Sequence, residues 1–434
     1  MHAHSAGTGE VRTPARRRRR AAARMTLTLA VFLLVYVAMG VGQVPGFKVD
    51  RTGAAIVGAL VLMAAGRITP QAAWDAIDYR TVGLLFGLMV VSAAFVVSGF
   101  YAWAAHRVAT LDVSPPTLLA ILVAIAGLLS AVLTNDVVVV AMTPLLVAIT
   151  LSRGLNPVPF LLGFCFAANA GSAGTIIGSP QNIIAAQGLG ISFNGFLRIA
   201  ALPALASLPI VWAIVAFLYR DRWHAAAGPA AAPPPTDRWE TAKAAAVTLG
   251  VIVAFVATDW SKELVALGAA AILLVNRSIA SSDMLGKVDG NLLLLLMGLF
   301  VVNAAMAATG LPQHLIADLK AAGVDLDAPL TLFLVICALS NIVGNNPAVM
   351  LLIPYLGTTG DRDALAAALA LGTGFSSNMI VFGSLAGIIV VEQAKAKGVT
   401  ISFGEFARAG IPVALACMAM AAAWIALISS PGQP

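Results

Sequence analysis

Residues 129–146 read LSAVLTNDVVVVAMTPLL, an apolar run interrupted at its centre by Thr134, Asn135 and Asp136. A carboxylate with no charged neighbour is costly in any apolar surrounding. In a bilayer it is costlier still, and such a residue marks a functional site by default. Residues 339–356 read LSNIVGNNPAVMLLIPYL and repeat the pattern 210 positions later: Ser130 falls on Ser340, Asn135 on Asn345 and Pro144 on Pro354. Further on, ISFNGFLR (191–198) matches ISFGEFAR (401–408) at the same offset, and Gly178–Ser179 align with Gly383–Ser384 after a small gap. Agreement at three separated places predicts a duplicated chain.

Composition says what kind of chain is duplicated. It is 60% hydrophobic and 11% charged, with a mean hydropathy of +0.92, where soluble domains carry roughly 25% charged residues. Residues 26–47, 81–105, 154–197, 290–313, 328–360 and 364–391 contain no Asp, Glu, Lys or Arg. A spanning helix needs about 20 mostly apolar residues, so the expectation is an all-α polytopic protein embedded in the lipid bilayer of the cell (inner) membrane. Runs this long, with Gly and Pro inside them, do not follow the alternation of a barrel. Much of the net charge of +6 lies in five arginines at 16–20, a topogenic or lipid-facing cluster rather than a nucleic-acid site. Cys165, Cys337 and Cys417 stand far apart in apolar segments, without zinc or disulfide spacing.

The duplication divides the chain into a basic tail (1–25), a first transmembrane repeat (26–219), a polar Pro/Ala-rich linker (220–243), a second repeat (244–428) and a C-terminal tail (429–434). Each half parses into five net crossings plus a two-armed segment around Asn135 or Asn345. That segment is either two full crossings or one re-entrant hairpin, and it leaves the parity unchanged. An odd number of crossings inverts the second repeat. Inverted repeats with interrupted helices are the architecture of secondary transporters.

Four interruptions carry the candidate site: Thr134–Asn135–Asp136; Gly344–Asn345–Asn346–Pro347; ANAGSAGTIIGSPQNII (168–184); and GFSSNMIVFGSLAGII (374–389). Gly and Ser-Pro inside a membrane helix free amides and carbonyls, which hydrocarbon tolerates only inside protein or around a wet cavity. Broken helices aim positive dipole ends at an anion, while free carbonyls suit a cation. The candidate substrate- and ion-binding residues are Thr134, Asn135, Asp136, Thr175, Gly178, Ser179, Gln181, Asn182, Asn345, Asn346, Ser376, Ser377, Asn378, Gly383 and Ser384. Gly and Ser at such places also serve helix packing, and Asn serves as interhelical glue. The recurrence of asparagine tips beside breaks in both halves favours function. Asp136 is expected to serve a coupling ion or proton, Gln181 and Asn182 to add specificity, and Glu392 and Lys395 to be interfacial anchors.

These residues resemble a known group. The TND…TP tip, the GSPQNI break, the SNIVGNNPAVML tip and the closing GSLAGIIVVEQAKAKGVTISFGEFARAGIP are similar to the ion transporter superfamily, over nearly the whole chain from Thr26. That superfamily holds arsenite permeases, citrate and divalent-anion symporters, and sodium/proton antiporters of the NhaD type. The resemblance implies ten spanning helices, two re-entrant hairpins tipped by Asn135 and Asn345–Asn346, two broken helices, a homodimer and elevator-type movement. The dicarboxylate branch carries Ser-Asn-Thr at both tips; the tips here look more like the arsenite-permease and anion-permease branches.

The expected function is therefore secondary active transport of an inorganic or small organic anion, coupled to H⁺ or Na⁺, with Na⁺ placed near Asn135 and Asn345. Arsenite efflux and Na⁺/H⁺ antiport are the alternatives. No cofactor or firm metal site is expected. Nor is an enzyme, since HExxH, a paired intramembrane Asp and a Ser–His arrangement are lacking. Topology draws two opposed expectations. The arginine tail would place the termini inside, but thirteen basic residues lie in the loops on one side (Lys48 and Arg51 among them) against six on the other, which would place the termini outside. Translation from Met25, leaving residues 1–24 untranslated, would reconcile the two.

Overall fold

The computed structural model describes residues 14–226, 228, 235–357 and 361–429, with the backbone alone for 14–24 and 109. Residues 1–13 of the basic tail, 227 and 229–234 of the linker, and 430–434 of the C-terminal tail lie outside the described residues, as do the side chains of the five-arginine run.

Among the described residues every regular element is helical. The first ten are α1 (Pro14–Val41), α2 (Arg51–Ala64), α3 (Pro70–Asp75), α4 (Tyr79–Val97), α5 (Phe100–Ala109), α6 (Pro115–Val132), α7 (Asn135–Ser152), α8 (Pro157–Ser172), α9 (Pro180–Leu189) and α10 (Phe193–Leu218). The next ten are α11 (Arg238–Ala257), α12 (Lys262–Leu274), α13 (Ser281–Leu285), α14 (Gly290–Ala307), α15 (Leu311–Ala321), α16 (Pro329–Val343), α17 (Asn345–Leu352), α18 (Arg362–Ser376), α19 (Leu385–Ala396) and α20 (Phe403–Ile428). The order of long and short elements in α1–α10 recurs in α11–α20. Both series end on a 26-residue helix begun by a serine cap: Ser192 accepts from Gly195 N at 3.0 Å and Ser402 from Glu405 N at 3.1 Å.

Seven helices (α4, α6, α7, α10, α11, α14 and α20) are long and apolar enough to cross a membrane, and four shorter apolar helices accompany them. Two of the seven, α6 and α7, are the arms of the first hairpin, so five of the ten expected spans are full length. The apolar part of α1, Met25–Val41, is shorter, and two further segments are each cut into a pair, α8 with α9 and α18 with α19. α2 and α12 have only 14 and 13 residues, about 20 Å at 1.5 Å per residue against a hydrocarbon core of about 30 Å.

Packing sorts the helices into two bodies. α4 lies on α12 and α2 on α14, a reciprocal exchange between the halves, with α1 and α11 beside them. The second body joins α6 to α8, α16 to α18, α8 to α10, α18 to α20 and α10 to α20, and crosses halves again through α7–α19 and α9–α17. α5 packs mainly on α7, and thinner contacts join the bodies, among them α1–α16, α14–α17 and α4–α7. α8 is buried along its whole length, as is α18 from Ala364 to Ser376. Small residues make this possible: a Cβ at Gly171 would overlap the backbone of Gly127, so α6 and α8 touch backbone to backbone.

Candidate functional site

Each hairpin tip begins where a helix runs out of backbone bonds. α6 ends at Val132 and the chain turns through Leu133 and Thr134 in extended conformation before α7 starts at Asn135. Two anchors hold this tip. Thr134 donates from both N and Oγ1 to Ser92 Oγ on α4, each at 3.1 Å, and Asn135 N donates to Gly178 O at 3.0 Å. The second tip turns at Gly344, whose φ of +92° disfavours any side chain. Asn345 and Pro347 then open α17, where a proline without N–H costs no helical bond. Asn345 Nδ2 donates to Ser377 Oγ at 2.9 Å.

The breaks are satisfied from within. Asn182 Nδ2 donates to Ser172 O at 2.8 Å and Thr175 O at 2.7 Å, taking up carbonyls that the end of α8 leaves free. Thr175 Oγ1 donates to Ala131 O on the hairpin and accepts from Gly178 N. In the other half Ser376 shares a 3.0 Å hydroxyl bond with Ser340, and Ser384 caps α19 by accepting from Gly387 N at 3.0 Å. The two breaks are joined by Asn169: its Nδ2 lies 3.0 Å from both Asn378 Oδ1 and Ser384 Oγ, while Asn378 Nδ2 donates to Phe166 O.

Both tips meet at one cavity of about 510 Å³. Asn135, Asp136, Gln181, Asn345, Asn346, Gly383 and Ser384 line it. Thr134, Thr175, Gly178, Ser179, Asn182, Ser376, Ser377 and Asn378 do not; they form the hydrogen-bonded wall behind it. The lining also takes in Asp50 and Arg51 at the start of α2, Asp289 and Asn291 at the start of α14, and Glu392 on α19. Its charged groups are four carboxylates and one guanidinium. Glu392, expected as an interfacial anchor, thus faces the cavity instead, because α19 begins at the break and runs outward along it. Arg51 Nε donates to Met39 O at 2.9 Å, and Asp289 caps α14 by accepting from Leu292 N at 3.0 Å.

Several buried oxygens around the tips have no hydrogen-bond partner among the described residues: Asn135 Oδ1, Asn346 Oδ1, Asn341 Oδ1, Ser179 Oγ and Asn182 Oδ1. Oxygens of this kind suit a hard cation. Among the described residues no group of three His, Cys, Asp or Glu is placed to hold a metal ion.

A smaller counterpart lies at the corresponding place in the other half. It has about 210 Å³, and Leu84, Ile176, Gln187, Ser192, Phe255 and Lys262 help to line it. Lys262 and Leu84 stand 211 positions from Arg51 and Leu295 of the large cavity, and Gln187 stands 205 from Glu392. Sequence reasoning missed Arg51, Asp289, Asn169 and Ser92. The available signal was the 211-residue offset, which pairs Arg51 with Lys262, Asp78 with Asp289, and Ser92 with Asn303.

Comparison with known proteins gives a consistent picture. A family model described as "Citrate transporter" matches residues 34–374. An uncharacterized transporter of Mycobacterium tuberculosis is 30% identical, covering 92% of this chain and 97% of its own length. The silicon efflux transporter LSI3 of Oryza sativa subsp. japonica is 26% identical, covering 81% of this chain and 87% of its own. The crystal structure of the YdaH transporter of Alcanivorax borkumensis shares the fold, with a TM-score of 0.58 over 94% of this chain and 97% of that one at 13% identity.

Proposed function

This chain belongs to the citrate transporter family, and on that premise we propose secondary active transport of a small oxyanion or its conjugate weak acid, coupled to H⁺ or Na⁺ through Asp136. The protein is an integral membrane transporter and not an enzyme. One observation carries the proposal. Two tips from different halves converge on a single polar cavity, and the repeat-related cavity is less than half its size. Inequality between equivalent places is what alternating access with inverted repeats produces in one of its two states.

The amides of Asn135, Gln181, Asn345 and Asn346 supply donors and acceptors for a hydroxylated or oxyanionic group. Four carboxylates facing one guanidinium do not favour a bare anion. The substrate therefore enters protonated, or with cations that offset the excess, which is coupling by electrostatic need. The unpartnered oxygens at Asn135 and beside Asn345 support a Na⁺ at either tip. The division into two packed bodies supports an elevator-type slide, with α6–α10 and α16–α20 as the moving part, α1–α4 and α11–α15 as the frame, and α5 packed mainly on α7. The frame is also the surface through which two copies would pair as a homodimer. The large cavity opens on the face with the richer basic loops, so the positive-inside rule makes this an inward-open state.

A second reading, Na⁺/H⁺ antiport, is favoured by a specific feature: Asp136 and Asp289 line the same cavity. The test is charge movement in proteoliposomes after jumps of sulfate, phosphate, dicarboxylate, arsenite or Na⁺ at fixed pH. A response to an oxyanion or to arsenite supports the proposal. A response to Na⁺ alone, reversing with the proton gradient, replaces it with antiport.

A further inference from the structure

We infer that Ser92 and Asn303 are positioning residues that hold the two hairpin tips in turn, one in each transport state; the inference rests on the alternating-access reading above. Both stand mid-helix in the frame, Ser92 on α4 and Asn303 on α14, 211 positions apart. Their present engagements differ. Ser92 Oγ holds the first tip itself, taking the N–H and the hydroxyl of Thr134. Asn303 does not reach the second tip. Its Oδ1 accepts from Tyr36 OH at 2.9 Å, its Nδ2 lies 3.5 Å from Met350 O, and Tyr36 OH lies 3.5 Å from Pro347 O.

In the hairpin repeat Thr134 corresponds to Gly344, so Asn303 meets its hairpin six residues beyond the position that Ser92 meets on the other. Six helical residues are about 9 Å along the axis. Sliding the second hairpin by that distance along α14 brings Gly344 N and Asn345 to the Asn303 amide, as Thr134 now meets Ser92. The same movement along α4 carries Thr134 away and leaves Ser92 against the backbone near Val140, the counterpart of Met350. The two latches are then never closed together, and the frame grips one tip at a time. Tyr36 breaks the symmetry: its counterpart in the second half is Val247, which has no hydroxyl. Tyr36 therefore occupies Asn303 in the present state and favours that state.

The opposing view is that Ser92 and Asn303 are fixed interhelical glue, engaged alike throughout. Thiol cross-linking separates the two. In a background with Cys165, Cys337 and Cys417 replaced by alanine, Ser92→Cys/Thr134→Cys and Asn303→Cys/Asn345→Cys pairs are bridged by Hg²⁺ in proteoliposomes. Glu392→Cys at the cavity mouth reports accessibility to a membrane-impermeant maleimide. The expected result is that both pairs bridge, but in separate molecules, with Glu392→Cys reactive when the first pair is bridged and protected when the second is.

Adding Tyr36→Phe should raise the bridged fraction of the second pair severalfold. Tyr36→Phe with Glu392→Cys alone, without either pair, should also lower maleimide reactivity severalfold, a readout that stands should a double variant fold poorly. If Glu392→Cys shows two accessibilities but the second pair never bridges, alternating access stands and the exchanging latch fails. If bridging the first pair leaves accessibility and transport unchanged, the tip need not move, and the latch and the elevator reading fall together.

Discussion

The two hairpins share a plan and differ in substance. The first has arms of 18 residues each; the second has arms of 15 and 8, with a 3₁₀ turn at Ile353–Tyr355 where the first continues as helix. The prolines at the shared offset act differently for that reason: Pro144 lies inside α7, while Pro354 sits in the turn. At the tips the contrast is chemical. Asp136 corresponds to Asn346, a carboxylate against an amide of the same shape, and both line the cavity. Duplication supplies the geometry and a single atom type supplies the difference. On the proposed reading, both halves would bind substrate while only the first tip supplies a carboxylate.

The strongest way to break that comparison is to remove or move the charge. Asp136→Asn makes the tips alike, and coupled charge movement in proteoliposomes should fall about a hundredfold, about 2.7 kcal/mol of lost coupling, with protein yield near normal. Asn346→Asp alone places a second carboxylate in an already acidic cavity and should weaken transport. The double exchange, Asp136→Asn with Asn346→Asp, asks whether the tips are interchangeable. Recovery of coupling would mean that position along the hairpin matters and which half carries it does not. No recovery would tie function to the wall behind the first tip, where Asn135 N meets Gly178 O.

The breaks give the next largest effect. Gly178 and Gly383 are counterparts, yet their surroundings differ. A Cβ at Gly178 would overlap Ser172 O and lie 2.8 Å from Ser130 O, both backbone. At Gly383 it would meet the Asn341 side-chain oxygen at 2.6 Å and Ser377 O at 2.9 Å. Gly178 meets three backbone atoms below 3.0 Å and Gly383 one backbone oxygen and one side-chain amide, so Gly178→Ala should cost about 3 kcal/mol and Gly383→Ala about 2 kcal/mol, both within the usual overpacking range. Thermal unfolding in detergent reads both. Equal costs would mean that the breaks pack alike.

The class of fold was legible because bilayer chemistry leaves few choices: uncharged stretches must be helices, and Ser-Pro or repeated glycine must interrupt them. α8 stops at Ser172 and α9 resumes at Pro180; α18 stops at Ser376 and α19 resumes after Ser384. Asn135, Asp136, Asn345 and Asn346 stood out as polar residues inside apolar runs. Arg51 and Asp289 did not, because a charged residue at a helix start reads as an anchor or cap, and both are bonded as such. Only the packing of α2 on α14, with Thr52 Oγ1 3.2 Å from Asn291 O, turns those starts toward the cavity.

The smallest effect concerns the bases of the hairpins. At the base of the first, Ser114 and Thr117 share a 2.8 Å bond, and Asp112 and Arg153 flank the two arms. The base of the second carries an ionic clasp outside the spans: Asp327 Oδ1 accepts from Gly357 N at 2.6 Å, and Lys320 Nζ lies 3.1 Å from Asp325 and 3.4 Å from Asp327. The backbone bond from Asp327 and then Lys320 lower the Asp325 pKa, and the two aspartates raise that of Lys320. A lowered carboxylate pKa contributes stability above its ordinary value and loses it as pH falls through the folded one; a raised ammonium pKa loses its share only at high pH. The clasp is therefore complete across neutral pH and opens in acid. Lys320 is exposed and both aspartates are partly so, so about 1 M salt, with a Debye length of about 3 Å, should remove much of the ionic part. Asp327→Asn keeps an acceptor for Gly357 N and removes one of the two ion pairs, so it should have part of the effect of high salt, whereas Asp327→Ala also loses the Gly357 bond and should lower the unfolding temperature further. If the two variants match, the ion pairs rather than the Gly357 bond hold the shorter hairpin.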